Sequence, residues 1–319
     1  MTDIAWGLAL VAGVGAIVWG AESFAEHLSA ASVRLGVSAF ALALLLAGAE
    51  PEELATAIVA SARHVPAVAL GDVVGANVAM CLVALGLGAC IAPLPFGRRV
   101  QRYAVLGLPA GIASVVVMWD GDVSRLNGAL LLVLYAGYVA IIWALERHPP
   151  VIGEAEELDE ARQVAARGVR SRVGRDLVLV VAGVVAMGAG ATVLVEAVRR
   201  ITSVESSQTD LSLTLVGFVT AFELVVLAWS ASRRGASETV IAAVVGSFAY
   251  NSTMTLGAAA LVRPLRVIDA SRLHGPAVVM LGSLTLVVVI GSVRHRLTRA
   301  HGVLLLALYP VFLAYVISR

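Results

Sequence analysis

A chain of 319 residues that is 59% hydrophobic and only 14% charged, with a mean hydropathy of +0.91, cannot hide its apolar surface in a water-soluble core. The composition predicts an all-α polytopic membrane protein. The formal charge of +1 offers nucleic acid no electrostatic footprint, and all 23 basic residues are arginine.

Taken in order, the apolar runs predict ten membrane spans: 4–22, 37–60, 66–92, 103–119, 126–145, 176–197, 211–231, 236–262, 275–293 and 301–318. The first run has no small-residue cleavage site after it and reads as a membrane helix, not a removable signal peptide. The second is interrupted. LLLAGAEPEEL (44–54) sets Glu50, Glu52 and Glu53 around Pro51, with Gly48 just before it. A carboxylate facing lipid at bilayer depth costs about 2.5–3.5 kcal/mol on insertion scales. Three together require a protein interior, a watery cavity or a bound cation, and a proline-broken helix in a membrane persists where it lines such a cavity. On the third span, Cys81 and Cys90 are too far apart along a helix to bridge and read as apolar filler.

One connection is long. Residues 146–175 are acidic first and arginine-rich afterwards, behind Pro149-Pro150. They read as a solvated linker, with a short helix touching the membrane surface as the alternative. The chain therefore divides into a first five-span unit (1–145), a linker (146–175) and a second five-span unit (176–319). With the N-terminus outside, inner segments hold fifteen arginines and outer segments eight, which predicts both termini outside and the linker in the cytoplasm.

The two units repeat. GALLLVLY (128–135) returns as GVLLLALY (302–309), and VVGAN (73–77) as VVGSF (244–248). Glu53 precedes Gly75 by 22 residues, and Glu223 precedes Gly246 by 23. Five spans is an odd number, so the second unit is expected to be inverted relative to the first. That is a layout of secondary transporters, with the site at the midplane.

The polar residues follow the repeat. Glu53 and Glu223 are repeat partners and the leading candidates for binding a cation. Glu50, three residues before Glu53 on a helix, is expected on the same side. Thr220, three residues before Glu223, is expected on that residue's face, and Ser247 and Asn251 on a shared face of the next helix. Glu52 points about 100° from Glu53 and has a pore-rim or helix-end role as its alternative. Asp72 reads equally as a first-turn helix residue, and Asn77 as a bond to a neighbouring helix. The six histidines fall at span ends or in loops, away from these carboxylates. Carboxylate, hydroxyl and amide oxygens suit hard cations such as Ca²⁺, Na⁺ or Mg²⁺ and not zinc or copper. No Ser–His–Asp or Cys–His arrangement stands out.

On these residues the chain resembles the cation/calcium exchanger superfamily, whose members carry two inverted repeats. Each repeat has a motif of the form Gly-Thr-Ser-x-Pro-Glu followed by Gly-Asn-x-x-Gly-Ser-Asn. The first stands here as GAEPEEL (48–54) and GDVVGANVAM (71–80), the second as FVTAFEL (218–224) and AAVVGSFAYN (242–251). The resemblance implies that Glu53 and Glu223 are calcium ligands. The motif serine becomes Glu50 in one half and Thr220 in the other. The third-span hydroxyl and amide become Ala76 and Met80, while Ser247 and Asn251 survive in the second half. The motif threonines become Ala49 and Val219. Sodium sites therefore look depleted on the first-repeat side, and clustered carboxylates bring in proton coupling.

The expected function is secondary antiport in the cell membrane of Ca²⁺ against Na⁺ or H⁺. No cofactor is expected, and the partners are inorganic cations and the lipid bilayer; oligomeric state is left open. Two alternatives stand beside it: a monovalent Na⁺/H⁺ exchanger, and an exchanger-like fold turned into a membrane-embedded acid–base enzyme.

Overall fold

The computed structural model describes residues 3–35, 50–146, 173–202, 204–234 and 237–319. The linker expected at 146–175 lies almost entirely outside these, as do Gly48, Ala49 and the first part of the second span.

The helices follow the ten apolar runs. They are α1 (Asp3–Leu35), α2 (Pro51–Ala62), α3, α4 (Arg98–Met118), α5 (Arg125–Glu146), α6 (Val173–Ile201), α7, α8, α9 (Ser271–Arg294) and α10 (Arg299–Ile317). Three are composite. α3 joins Pro66–Ala79, a π-helical segment Met80–Ala84 and Leu85–Ile91. α8 joins Ser237–Tyr250, a π segment Asn251–Thr255 and Leu256–Val262. α7 joins Glu205–Leu211, a π segment Ser212–Val216 and Gly217–Thr220, then resumes as Phe222–Arg234. Among the described residues, nine helices are long and apolar enough to cross a membrane. That is the layout of a multi-pass membrane protein.

Several spans run past their expected ends. α1 continues through Glu22 and His27 to Leu35, where the apolar run suggested an end at residue 22. His27 therefore sits inside a helix, its ring 2.8 Å from the Ser23 carbonyl. α4 begins at Arg98, five residues before its apolar run, because arginines at a span end reach the interface on their long stems.

The inverted repeat is visible in the backbone. The π segment of α8 begins 171 residues after that of α3 and has the same length. Four two-residue strands, β1 (Leu94–Pro95), β2 (Asp122–Val123), β3 (Leu265–Arg266) and β4 (Arg296–Leu297), form two antiparallel pairs. β1 pairs with β4 and β2 with β3. The repeat carries β1 onto β3 and β2 onto β4, so each pair maps onto the other. A two-fold axis between the units does this, and the two pairs mark opposite ends of the helix bundle.

The same axis runs between α1 and α6, which cross antiparallel on glycines. A Cβ on Gly13 would lie 2.9 Å from the Gly190 carbonyl oxygen, and one on Gly20 would lie 2.7 Å from that of Gly183. Small residues at both crossings bring the backbones together where lipid gives helices no hydrophobic reason to associate.

α3 and α8 form the centre. Their most apolar windows are 78% and 94% buried, against 28% for α10. Both are rich in glycine, alanine, serine and asparagine, which pack closely and tolerate burial. Tyr135 and Tyr309, from the repeated LLLxLY stretches, are both buried.

Candidate functional site

Each motif glutamate lies in the first turn of a helix that starts inside the membrane. Pro51 opens α2 with Glu52 and Glu53 behind it, and Glu223 is the second residue of the resumed half of α7. Proline fixes the helical φ and has no N–H to leave unpaired, which suits it to that position. First-turn N–H groups have no partner within the helix and carry the positive end of its dipole, so both breaks favour negative charge.

Glu50 is not helical. It caps α2 in a non-helical conformation (φ −115°, ψ 83°), so the helical spacing that placed it beside Glu53 does not apply. Its carboxylate instead accepts a hydrogen bond from Ser247 on α8. One expected site residue from each repeat is thus joined directly.

Glu52 is buried at 1% exposure, which removes the pore-rim reading. It faces the carboxyls of Glu50 and Glu223. Glu53 is equally buried, with Glu50, Asp72, Glu52 and Glu223 as its charged neighbours. Asp72 is not a first-turn residue. It is fully buried in the middle of the first α3 segment, where it accepts a 2.9 Å hydrogen bond from the Thr220 hydroxyl. Thr220 has the Val216 carbonyl at 3.1 Å as an alternative acceptor. The helix breaks at Ala221, between Thr220 and Glu223, so these two do not share a regular helical face.

Close backbone approach brings α3 and α7 together here. A Cβ on Gly71 would lie 2.7 Å from the Ser212 side chain, and one on Gly75 would run into the backbone of Leu213. The π segment of α7 begins at that contact. π-bulges inside α-helices are frequent at functional sites.

Asn77 does what its position suggested, donating to Ser252 Oγ at 3.1 Å. Asn251 shares Ser247's helix as the first residue of the π segment. Neither of its amide atoms has a partner among the described residues. The same holds for both oxygens of Glu52 and Glu53, for Asp72 Oδ2 and Glu223 Oε2, and for the hydroxyls of Thr56, Ser212 and Thr255. A buried polar group without a partner costs about 1–3 kcal/mol, more when charged. These unpartnered atoms are distributed over α2, α3, α7 and α8.

Among the described residues no three acidic, histidine or cysteine side chains form a ready-made metal cluster. The oxygens are distributed over α2, α3, α7 and α8. The structure brings Glu50 to Ser247 and Thr220 to Asp72, and gathers Glu52, Glu53 and Glu223 around them. Reading the sequence understated Glu52 and Asp72 and missed Thr56, Ser212 and Thr255. Two signals were present: Asp72 occupies the Asn position of the Gly-Asn-x-x-Gly motif, and Thr56 lies one turn beyond Glu52 and Glu53.

The pattern of the family described as "Sodium/calcium exchanger protein" matches residues 5–144 and 176–318. The chain belongs to the sodium/calcium exchanger family. It is therefore an exchanger-family membrane transporter, built as two inverted five-helix repeats. Among curated relatives, the "Uncharacterized membrane protein MJ0091" of Methanocaldococcus jannaschii is 25% identical over 302 residues, 93% of this chain and 91% of that protein. The "Inner membrane protein YrbG" of Escherichia coli is 22% identical over 317 residues, 96% of this chain and 94% of the relative. The "Sodium/calcium exchanger MaX1" of Methanosarcina acetivorans matches more locally, at 34% identity over 89 residues, 27% of this chain and 25% of that one. A structure of the sodium-calcium exchanger NCX_Mj, soaked with Na⁺ and Sr²⁺, superposes with a TM-score of 0.62. The match covers 98% of this chain and 99% of that one at 22% identity, a likeness of fold.

Proposed function

We propose that this exchanger-family chain is a cell-membrane antiporter that moves Ca²⁺ through the α2–α3–α7–α8 site against protons or Na⁺. One observation carries the reading. Five carboxylates, those of Glu50, Glu52, Glu53, Asp72 and Glu223, come together in the membrane with charged neighbours that are all acidic among the described residues. Uncompensated buried charge is strongly destabilising, so the cluster needs cations or protons. Carboxylate, hydroxyl and amide oxygens suit the hard Ca²⁺ ion. One Ca²⁺ balances two carboxylates, and the remainder must carry protons or a second cation. Filling by counter-ions neutralises the same groups and permits the return step.

Protons have the stronger claim as counter-ion. Ala76 and Met80 line the first-repeat face where the motif has a hydroxyl and an amide. The carboxylates of Glu50 and Glu52 are neighbours, and two adjacent buried carboxylates favour sharing a proton over both staying ionised. Purified protein in liposomes, loaded with Ca²⁺ and given imposed Na⁺ or pH gradients, tests this. Ca²⁺ movement driven by a pH gradient with Na⁺ absent is expected. Flux that needs Na⁺ and ignores pH would return the counter-ion role to sodium. No Ca²⁺ flux under either gradient, with Na⁺/H⁺ exchange present, would replace Ca²⁺ as cargo.

A further inference from the structure

Outside the ion site, two grooves on the membrane-facing surface are repeat mates. One, of about 470 Å³, lies between α4 and α5 and is lined by Arg98, Gln101, Arg102, Val105, Leu106 and Leu145. The other, of about 600 Å³, lies between α9 and α10, and His274, Gly275, Val278 and Val279 are in its wall. Gln101, Arg102, Val105 and Leu106 fall on those four residues at a constant spacing of 173. The fold makes the groove twice, and the two mouths differ in charge.

We propose that the α4–α5 groove binds one anionic phospholipid of the bilayer. An acyl chain lies along Val105, Leu106 and Leu145, and the headgroup phosphate sits on Arg98 and Arg102. Three observations carry this. First, the apolar wall continues a lipid-facing belt: Val105, Ile112 and Val116 are all exposed on α4. Hydrocarbon is the medium that wall meets.

Second, the mouth is cationic and unneutralised. Arg98 and Arg102 are exposed, lie one turn apart on one face, and have no hydrogen-bond or ion-pair partner among the described residues. Arg99, between them, is engaged with Tyr103, donating to its hydroxyl at 3.1 Å. Gln101 is held by Ser292 on α9 at 3.2 Å, which fixes the edge of the groove. Phosphate oxygens match free guanidinium groups in charge and geometry.

Third, the mate groove is closed to this chemistry. Its mouth carries Trp119 stacked on His274 at 4.2 Å. The nearby Arg272 is already paired with Asp210 at 2.6 Å. Arg319 lies over the ring of Tyr315 in that wall and donates to the Arg272 carbonyl at 2.6 Å. The positions that match Arg98 and Arg102 are Ser271 and Gly275, so the α9–α10 groove has no arginine at the corresponding place.

Native mass spectrometry of the purified full chain, titrated with phosphatidylglycerol or phosphatidylcholine, reads this independently of ion transport. Wild type is expected to hold one phosphatidylglycerol about thirtyfold more tightly than phosphatidylcholine, the scale of two interfacial arginines. The double variant R98Q/R102Q should bring the two lipids to parity with no change in melting temperature in lipid-free detergent. His274→Leu, in the mate groove, should leave the preference intact. Equal binding of the two lipids by wild type, or an undiminished preference in R98Q/R102Q, would overturn the proposal. So would a preference that emerges only after Glu154, Glu156 and Glu157 are changed to Gln, because the linker would then own the groove.

Discussion

The two repeats share a backbone and divide the polar chemistry unequally. On the face of α3 that meets the site, Asp72, Ala76 and Met80 follow one another at four-residue spacing. On the mate face of α8 the sequence is Ala243, Ser247 and Asn251. One half offers a carboxylate at the first position and nothing polar after it; the other offers a hydroxyl and an amide at the second and third. The half-broken helices differ in the same sense, with Glu50, Glu52 and Glu53 in the first and Thr220 with Glu223 in the second. Two of the hydrogen bonds that join the repeats link carboxylates to hydroxyls, Glu50 to Ser247 and Asp72 to Thr220. Symmetry of the fold builds the cavity, and asymmetry of the side chains decides what it holds.

The largest effect should come from the one feature both halves retain. Glu53→Gln and Glu223→Gln should each reduce Ca²⁺ flux in liposomes to the background of empty vesicles, with elution profile and melting temperature preserved. Wild-type flux from either variant would dissolve the idea that the repeat-related carboxylates form the site.

Next comes the crossing bond between Thr220 and Asp72. Thr220→Val removes the donor and leaves Asp72 fully buried without a partner, so it should lower stability by about 1–3 kcal/mol. Asp72→Asn keeps an acceptor for Thr220 and removes the charge. It should hold or raise the melting temperature while slowing Ca²⁺ flux roughly tenfold, about 1.4 kcal/mol of lost stabilisation. Matched losses of stability in both variants would make Asp72 a packing residue only.

A smaller, graded effect belongs to Glu50. If carboxylates there share a proton in the cation-free state, cation binding releases it. Raising the pH from about 6 to 8 should then tighten apparent Ca²⁺ affinity in the wild type. Glu50→Ser, which gives the first half the motif's serine, should flatten that slope. An affinity already flat in the wild type would remove Glu50 as the proton carrier.

The mildest change makes the halves alike. A76S/M80N gives α3 the hydroxyl and amide that α8 already has, and should add Na⁺ stimulation to Ca²⁺ flux. Flux that still ignores Na⁺ would show that the depleted face is not what sets the counter-ion.

Much of this was legible in the chain. The apolar runs located every described span, because membrane helices need a minimum length of apolar residues whatever they pack against. The paired motifs exposed the repeat and put forward Glu53 and Glu223, a choice that the flux measurements above decide. Where prediction slipped, local geometry was the cause. A regular helix was assumed through Glu50 and from Thr220 to Glu223; Glu50 is not helical and the second helix breaks at Ala221. Asp72 was read by its distance from Pro66, when its depth in the bundle was what mattered.

The sequence by itself therefore determined the class, the inverted duplication and the presence of carboxylates at membrane depth. Those properties reside in composition and periodicity, which every residue reports independently of its neighbours in space. The partners of those carboxylates were decided only in three dimensions. Glu50 and Ser247 are 197 residues apart, and Asp72 and Thr220 are 148. No periodicity spans such distances. Two helix breaks, the π segments and a glycine contact as close as that of Gly75 with Leu213 bring these groups together, and their effect exists only once both repeats are packed about the axis.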